Sequence, residues 1–104
     1  MTYGLVGRLL AQPGHRDDLR DHLLDAARVL GANPDCLQYL VSTAPDDADG
    51  VWVTELWTSR AAHGASLEPE EVRAVIQRAR PLIAGMSDRT ELEVHGGKGL
   101  PVRS

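Results

Sequence analysis

The chain has a single cysteine, Cys36, among its 104 residues. A lone thiol excludes an intramolecular disulfide framework, and this cysteine usage favours a reducing compartment. It also argues against a structural zinc site, because those sites usually combine several thiolates or imidazoles. The sequence therefore predicts a fold without a disulfide or a structural metal.

Long hydrophobic runs and clusters of basic residues are missing as well. No apolar run approaches the roughly 20 residues of a membrane-spanning helix, and the N-terminus lacks the basic and apolar regions of a signal peptide. Fifteen acidic residues against eleven lysines and arginines give a net charge of -4. The basic residues are scattered, so no patch follows a phosphate backbone. We expect a soluble cytoplasmic protein that binds neither nucleic acid nor a membrane.

Motifs for cofactors and for nucleophilic catalysis are equally scarce. The glycines at 96, 97 and 99 follow the last predicted strand and precede no helix, so they indicate a flexible tail rather than a phosphate-binding loop. His63 and His95 could meet in space, but no carboxylates at ligand spacing support a metal. No Ser-His-Asp or Cys-His arrangement is evident. The sequence predicts no metal and no organic cofactor.

The composition and the apolar patterns of the chain are those of one compact domain. Apolar residues make up 42% and charged residues 25% of the sequence, an ordinary globular balance. Apolar alternation predicts strands over residues 3–12, 36–43, 51–57 and 88–95. Helical spacing predicts a helix over about 15–30, a short one around His63 and a longer one that begins at Pro69.

The longer helix is followed by residues that are expected to end it. Its predicted apolar side consists of Val72, Ile76, Ala79 and Ile83. Pro81 should kink this helix or end it near Arg80, because proline removes a backbone donor and clashes with the preceding turn. Gly85 is expected to close the segment.

The order strand, helix, strand, strand, helix, strand predicts a fold class. It is the ferredoxin-like α+β pattern, with an antiparallel four-stranded sheet and helices on one face. The other face of such a sheet needs a cover. A second copy packed sheet against sheet would supply it, and two-fold dimers are the commonest soluble oligomers. We therefore expect a homodimer.

The stretch from residue 51 to 67 is the best candidate for a functional site. Its strand alternates so that Glu55 and Trp57 share one face, and Ser59 is a plausible N-cap for the short helix that follows. This strand-to-helix junction brings Trp57 close to His63. An imidazole in this position can act as a general base or as a ligand donor. It can equally be a half-buried histidine bonded to backbone or to Glu55.

Three further residues each have a functional and a structural interpretation. Tyr39 and Trp57 could wall a pocket for an aromatic ligand, or simply pack in the core. Ser66 could orient the imidazole or cap the helix. Glu55 is costly among apolar neighbours unless it is paired. Its candidate partners are Arg8, Arg80, His63 and a residue of a second subunit.

Several stretches together resemble a known family. They are Thr54-Glu55-Leu56-Trp57-Thr58-Ser59, Ala62-His63, Ala65-Ser66-Leu67 and Arg80-Pro81-Leu82-Ile83-Ala84-Gly85, with Tyr3-Gly4-Leu5, Cys36-Leu37-Gln38-Tyr39 and the tail from Gly96 to Leu100. The pattern is similar to the antibiotic biosynthesis monooxygenase (ABM) family, and most similar to its quinol monooxygenase branch. The resemblance covers nearly the whole chain.

This resemblance implies a dimeric α+β barrel, with residues 1–95 as the ferredoxin-like domain and 96–104 as a glycine-rich tail. Family members with established activity oxidise electron-rich phenols or hydroquinones with O₂, without metal, flavin or haem. In this chain His63 would be the base or a hydrogen-bond partner of the phenol, Trp57 and Tyr39 the pocket walls, and Glu55 or Ser66 the groups that orient His63.

The leading hypothesis is therefore a cofactor-independent monooxygenase of a quinol or polycyclic phenol. The alternatives are a dimeric small-molecule-binding or stress-associated protein without turnover, and a haem-binding or haem-degrading protein.

Overall fold

The structure is a computed structural model that describes residues 2–100. Its elements are β1 (Thr2–Ala11), α1 (Arg16–Leu30), β2 (Cys36–Ser42), β3 (Gly50–Trp57), α2 (Arg60–Ala65), α3 (Glu70–Ala79), a 3₁₀ turn (Arg80–Leu82) and β4 (Ile83–Val94). The strands form one antiparallel sheet in the order β2-β3-β1-β4. The predicted ferredoxin-like α+β fold is confirmed.

The core lies between one face of the sheet and the helices. Helix α1 buries a stripe at helical spacing that consists of Leu19, Leu23, Ala26 and Leu30. Leu19 and Leu23 pack with Val51 and Val53 of β3 in one cluster. A second cluster joins Leu30, Trp57 and Val72, and so connects α1, β3 and α3. These contacts define the helix-covered face of the sheet.

Helix α3 ends where its proline predicts. The α-helical residues stop at Ala79, and Pro81 lies in the 3₁₀ turn that follows. Proline cannot donate to the preceding turn and its ring crowds the carbonyl four residues earlier, so the α-helix cannot continue through it. The predicted end near Arg80 is confirmed.

Strand β4 is much longer than the sequence predicted. It begins at Ile83 rather than at residue 88, and pairs with β1 from Ala11↔Ile83 to Thr2↔Val94. The assignment of Ile83 to the helix and of Gly85 to its end was therefore wrong. Most of β4 is exposed, so it lacks a strong apolar alternation. Its conformation comes from long-range pairing, which local patterns do not reveal.

The pairing of β4 with β1 is interrupted by a bulge. Arg8 stands opposite Ser87 and Val6 opposite Thr90, so both Asp88 and Arg89 face the single residue Gly7. Asp88 has a φ of 56°, an uncommon backbone conformation for a residue with a side chain. Bulges of this kind bend a strand and change the direction of its side chains.

The uncovered face of the sheet is apolar at one end. Gly4 lies opposite Leu56 on β3 and Leu92 on β4. A Cβ atom at Gly4 would approach a methyl carbon of Val94 to 3.0 Å, so only glycine lets these neighbours pack this closely. The predicted homodimer that would bury this face stays a prediction.

The chain after β4 has no regular structure as far as residue 100. The carbonyl of Gly99 accepts a hydrogen bond from Nε2 of Gln38 at 3.5 Å, so this segment reaches β2. Residues 101–104 of the predicted tail lie outside the described residues, and the boundary at 95/96 stays a prediction. No helix within residues 2–100 has the length and apolarity of a membrane span.

One ion pair attaches the loop between β2 and β3 to β1. Arg8 donates from Nε to Oδ2 of Asp47 at 2.7 Å and from a terminal nitrogen to Oδ1 at 2.9 Å. The backbone N–H of Gly50 donates to Oδ1 as well, at 3.1 Å. These hydrogen bonds, with that of Arg8 the strongest, lower the pKa of Asp47 to about 2.

We predict that Asp47→Asn lowers Tm by a few degrees at neutral pH. A lowered pKa stabilises the folded state above the unfolded pKa of about 3.9 and loses that effect as the pH falls toward the folded value. The Tm difference from wild type should therefore be constant between pH 5 and 8 and shrink below about pH 4. Asp46→Asn, at the exposed neighbouring residue, is the matched control. A difference that persisted unchanged to pH 2 would contradict this account.

Candidate functional site

The sheet register brings three of the predicted site residues to the helix-covered face. Tyr39 of β2 lies directly opposite Glu55 of β3, and Trp57 lies opposite Tyr3 of β1. Because residues opposite each other or two apart along a strand point to the same side, all four side chains belong to one face. Strand β3 thus carries both the carboxylate and the indole of the candidate site.

Helix α2 supplies His63 to this cluster. Ser59 caps the helix as predicted, because its hydroxyl accepts the backbone N–H of Ala62 at 3.0 Å. The His63 ring then lies 5.6 Å from the Trp57 ring and 5.7 Å from the Tyr3 ring, measured between centroids. Its Nε2 is 3.7 Å from Oε1 of Glu55, an electrostatic contact rather than a well-formed hydrogen bond.

Glu55 is a largely buried carboxylate whose contacts only partly offset the loss of its hydration. Its side chain is 13% exposed, and Oε1 accepts the indole N–H of Trp57 at 3.1 Å. Burial raises the pKa of Glu55, while the Trp57 hydrogen bond and the charges of His63 and Arg89 act in the opposite direction. Arg8, one predicted partner, binds Asp47 instead. Glu55 therefore has a higher affinity for a proton than an ordinary glutamate.

Ser66 contacts the backbone of His63. Its buried hydroxyl donates a hydrogen bond to the carbonyl oxygen of His63, at the end of α2. The bond goes to the main chain and not to the imidazole. Ser66 therefore holds the helical turn that carries His63, and any orienting effect on the ring is exerted through that turn.

A cavity of about 120 Å³ lies on the helix-covered face. It is lined by Leu5, Val6, Gly7, Leu9, Leu23, Tyr39, Val53, Glu55, Met86 and Arg89. Leu5, Leu23 and Val53 are buried, whereas Met86 and Arg89 on the edge strand β4 are exposed. The cavity thus has an apolar interior and opens beside β4. A cavity of roughly 150 Å³ can hold one benzene molecule, so this one is about the size of a single ring.

Several larger grooves also lie on the surface, and two of them have the greatest volumes. One, of about 370 Å³, is lined by the loops around Gly14 and Asp46, and the other, of about 440 Å³, lies beside Tyr3 and Arg60. Neither contains a buried ionisable group, and the residues around them are largely exposed. The smaller cavity combines apolar walls with a few polar groups, which is typical of small-molecule sites.

Tyr39 and Glu55 are the predicted site residues that line this cavity. Burial, followed by the charges of Glu55 and Cys36, raises the pKa of the Tyr39 phenol, so it stays protonated and can donate a hydrogen bond. Trp57 is fully buried, and neither it nor His63 nor Ser66 belongs to the cavity lining. The structure therefore brings Glu55, His63 and Trp57 together but presents Glu55 to the cavity.

Sequence reasoning missed Gly7 and Arg89. A Cβ atom at Gly7 would have Arg89 Cα as its nearest neighbour, at 3.8 Å, so the glycine leaves free space rather than relieving a clash. Arg89 lies on the same side because it is two residues from Glu91, which pairs with Leu5 of β1. No local signal identifies either residue, since both depend on the pairing of β1 with β4. Among residues 2–100, no group of three or more His, Cys, Asp or Glu is arranged to hold a metal.

The sequence pattern of one family matches most of the chain. That family is described as antibiotic biosynthesis monooxygenase, and the match covers residues 2–78. The chain belongs to the ABM family. The predicted family is thereby confirmed. No protein of curated function matches the chain in sequence.

Solved structures agree with this assignment. A proposed antibiotic biosynthesis monooxygenase from Chloroflexus aurantiacus J-10-fl is 40% identical, with a TM-score of 0.89 over 97% of this chain and 100% of that one. Another from Caulobacter crescentus CB15 is 25% identical, with a TM-score of 0.82 over 91% of both chains. SnoaB, a cofactor-independent oxygenase from Streptomyces nogalater, is 12% identical, with a TM-score of 0.78 over 93% of this chain and 96% of that one. SnoaB therefore supports the ABM fold alone.

We predict that Trp57→Phe destabilises the protein by about 1–3 kcal/mol, because it leaves the buried Glu55 carboxylate without its indole donor. Trp52→Phe, on the uncovered face of the same strand, is the matched control and should cost less. Chemical denaturation measures both. Because Trp57 lies outside the cavity lining, affinity for a small phenol should change little. A large loss of affinity without loss of stability would instead support Trp57 as a pocket wall.

We predict that Glu55→Gln changes stability with the opposite pH dependence to Asp47→Asn. A raised folded pKa favours the folded state below the unfolded pKa of about 4.3, and this advantage disappears as the pH rises through the folded value. The Tm of the variant relative to wild type should therefore increase from pH 4 to pH 8. Glu93→Gln, at an exposed glutamate of β4, controls for surface charge. A Tm difference that fell with pH would show that Glu55 is stabilised as a carboxylate.

Proposed function

We propose that this protein is a cofactor-independent monooxygenase that oxidises a hydroquinone or a related electron-rich phenol with O₂. The observation that carries the proposal is the carboxylate of Glu55, buried on the wall of a ring-sized cavity with a raised pKa. Perturbed carboxylates in clefts are typical of catalytic acids and bases. Membership of the ABM family supports the reaction class, and the quinol branch is part of the proposal.

The first step is removal of the phenolic proton by Glu55. A phenol has a pKa near 10, so an ordinary carboxylate is a weak base toward it. Burial makes Glu55 a stronger base, and general-base catalysis improves as the pKa of the base approaches the working pH. The apolar walls around the substrate exclude water that would otherwise solvate the phenolate.

The phenolate then supplies the electrons for the reaction with O₂. One electron passes to O₂, and the resulting radical pair combines to form a carbon–oxygen bond and a peroxide on the ring. The O–O bond breaks as Glu55 returns a proton to the departing oxygen, and a ring hydrogen is lost as a new carbonyl forms. Hydroquinone plus O₂ thus gives hydroxybenzoquinone plus water. The substrate supplies all four electrons, and one oxygen atom goes to each product.

His63 contacts the carboxylate of Glu55 and lies outside the cavity lining. Its Nε2 is 3.7 Å from Oε1 of Glu55, and its side chain is 16% exposed. We assign the base to this pair, with Glu55 nearest the substrate and His63 able to stabilise its charge or accept its proton. Trp57 orients the same oxygen through its indole N–H, Tyr39 forms a wall, and Ser66 holds the turn that carries His63.

The size of the cavity favours a one-ring substrate. At about 120 Å³ it has room for no more than about one aromatic ring, so a polycyclic phenol would extend through the mouth beside β4. A haem is too large for this cavity. His63 does not line the cavity either, so it would not serve there as a ligand of the haem iron. The protein is further proposed to act in the cytoplasm as a homodimer, with the second copy on the face that carries Gly4.

The direct test is oxygen uptake by metal-stripped protein with a panel of small hydroquinones, corrected for autoxidation, under ¹⁸O₂. Uptake should scale with enzyme, and the hydroxyquinone should contain one labelled atom. Glu55→Gln should lower kcat by about 10²–10⁴-fold, and His63→Ala should lower it as well. Loss of activity in His63→Ala alone would make His63 the base. No uptake with any hydroquinone, together with ligand-induced stabilisation, would favour a binding protein without turnover.

The cavity itself is tested by filling it. Gly7→Leu should abolish uptake and ligand binding with little loss of stability, since Gly7 faces free space on the cavity wall. Gly7→Ala is the matched control, because its Cβ would meet no atom closer than 3.8 Å and would leave most of the cavity open. Full activity in Gly7→Leu would locate the reaction elsewhere.

A further inference from the structure

Arg89 gives the mouth of the cavity a positive charge. It lines the cavity together with Glu55 and Tyr39, and it is exposed on the edge strand β4. Its charge influences the carboxylate of Glu55 across the cavity. The mouth therefore carries a cation, the wall carries an acid, and the space between them is largely apolar.

Within the part of the chain that the structure describes, this arginine has no carboxylate partner of its own. None of the salt bridges among residues 2–100 includes Arg89. The nearby Glu91 is already engaged, because its Oε2 accepts the Tyr3 hydroxyl at 2.7 Å and lies 3.2 Å from Nε of Arg60. The guanidinium of Arg89 is thus available to a ligand. Arginine binds carboxylates through paired, charge-assisted hydrogen bonds.

Arg89 lies on the cavity side of β4 because it is two residues from Glu91, which pairs with Leu5 on the helix-covered face, and it directly follows the bulge residue Asp88. Asp88 takes the left-handed conformation, which is unfavourable for a residue with a side chain and persists only where its surroundings hold it. Ser87 donates a hydrogen bond to the Asp88 carboxylate at 3.0 Å, and Thr90 donates to the Asp88 carbonyl at 3.3 Å. Gly7, opposite the bulge, presents no side chain against Arg89. Bulges are over-represented beside active sites, so the presence of one next to Arg89 is consistent with a functional cavity.

We infer that Arg89 selects substrates that carry an anionic substituent, such as a ring carboxylate, at the mouth of the cavity. The phenolic end of such a molecule lies toward Glu55 and Tyr39, and the anionic end lies at Arg89. This inference rests on the proposed function for the identity of the reaction, but it concerns binding and does not require turnover. A dihydroxybenzoate is a simple compound of this class.

The experiment compares two probes under anaerobic conditions at pH 7.5: 3-hydroxybenzoate and its neutral amide, 3-hydroxybenzamide. Wild-type protein should bind the carboxylate about tenfold more tightly or better, as expected for one charge-assisted contact. Arg89→Gln should remove this preference while the affinity for the amide stays the same, and Arg89→Lys should retain part of it. Arg78→Gln, at an exposed arginine of α3 outside the cavity, should behave as wild type.

Equal affinity of wild type for the two probes would overturn the inference, as would a preference that survives in Arg89→Gln or a failure of both probes to bind. Oxygen uptake then separates this result from the proposed function. With 2,5-dihydroxybenzoate, Arg89→Gln should raise KM, whereas the KM values for the methyl ester and for plain hydroquinone should change little. Oxygen uptake with hydroquinone, without any preference for the anionic probe, would support the oxygenase proposal and refute the role of Arg89.

Discussion

The burial of one carboxylate governs the arrangement of this site. Glu55 lies under the helices, where an ionised group is costly unless it is paired and hydrogen-bonded. Its compensation is one indole hydrogen bond at 3.1 Å and an imidazole at 3.7 Å, and its pKa stays raised. An apolar residue here would make a simpler core. A carboxylate that is kept at such a cost, on the wall of a cavity, is better explained by chemistry than by stability.

The two faces of the sheet use glycine in opposite ways. On the uncovered face, Gly4 lets Leu92 and Val94 approach so closely that a Cβ atom would lie 3.0 Å from a Val94 methyl. On the helix-covered face, a Cβ atom at Gly7 would meet nothing closer than 3.8 Å, so this glycine leaves space in the cavity wall. One strand thus contributes tight packing on one side and a vacancy on the other. Because side chains alternate along a strand, a one-residue shift in the register of β1 would place Gly4 on the helix-covered face and Gly7 on the uncovered face.

Local sequence patterns predicted those parts of the fold that local physics decides. The stripe of α1, the Ser59 cap and the stop at Pro81 follow from spacing and backbone chemistry, and the structure has all three. The early start of β4 and the bulge at Asp88 follow from pairing with β1, some 80 residues away in the chain. The cluster of Glu55, Trp57 and His63 could be predicted because one strand–turn–helix carries it. Arg89 could not, since it joins the site only through that pairing.

The charges on either side of the cavity make binding and basicity interdependent. The positive charge of Arg89 is one of the effects that lower the pKa of Glu55 and so partly oppose its burial. An anionic substituent bound at Arg89 would neutralise that charge and add a negative one, and both changes favour protonation of Glu55. The carboxylate would therefore become a stronger base when the proposed substrate is in place. In the proposed cofactor-independent reaction, the substrate itself would thus supply part of its own activation.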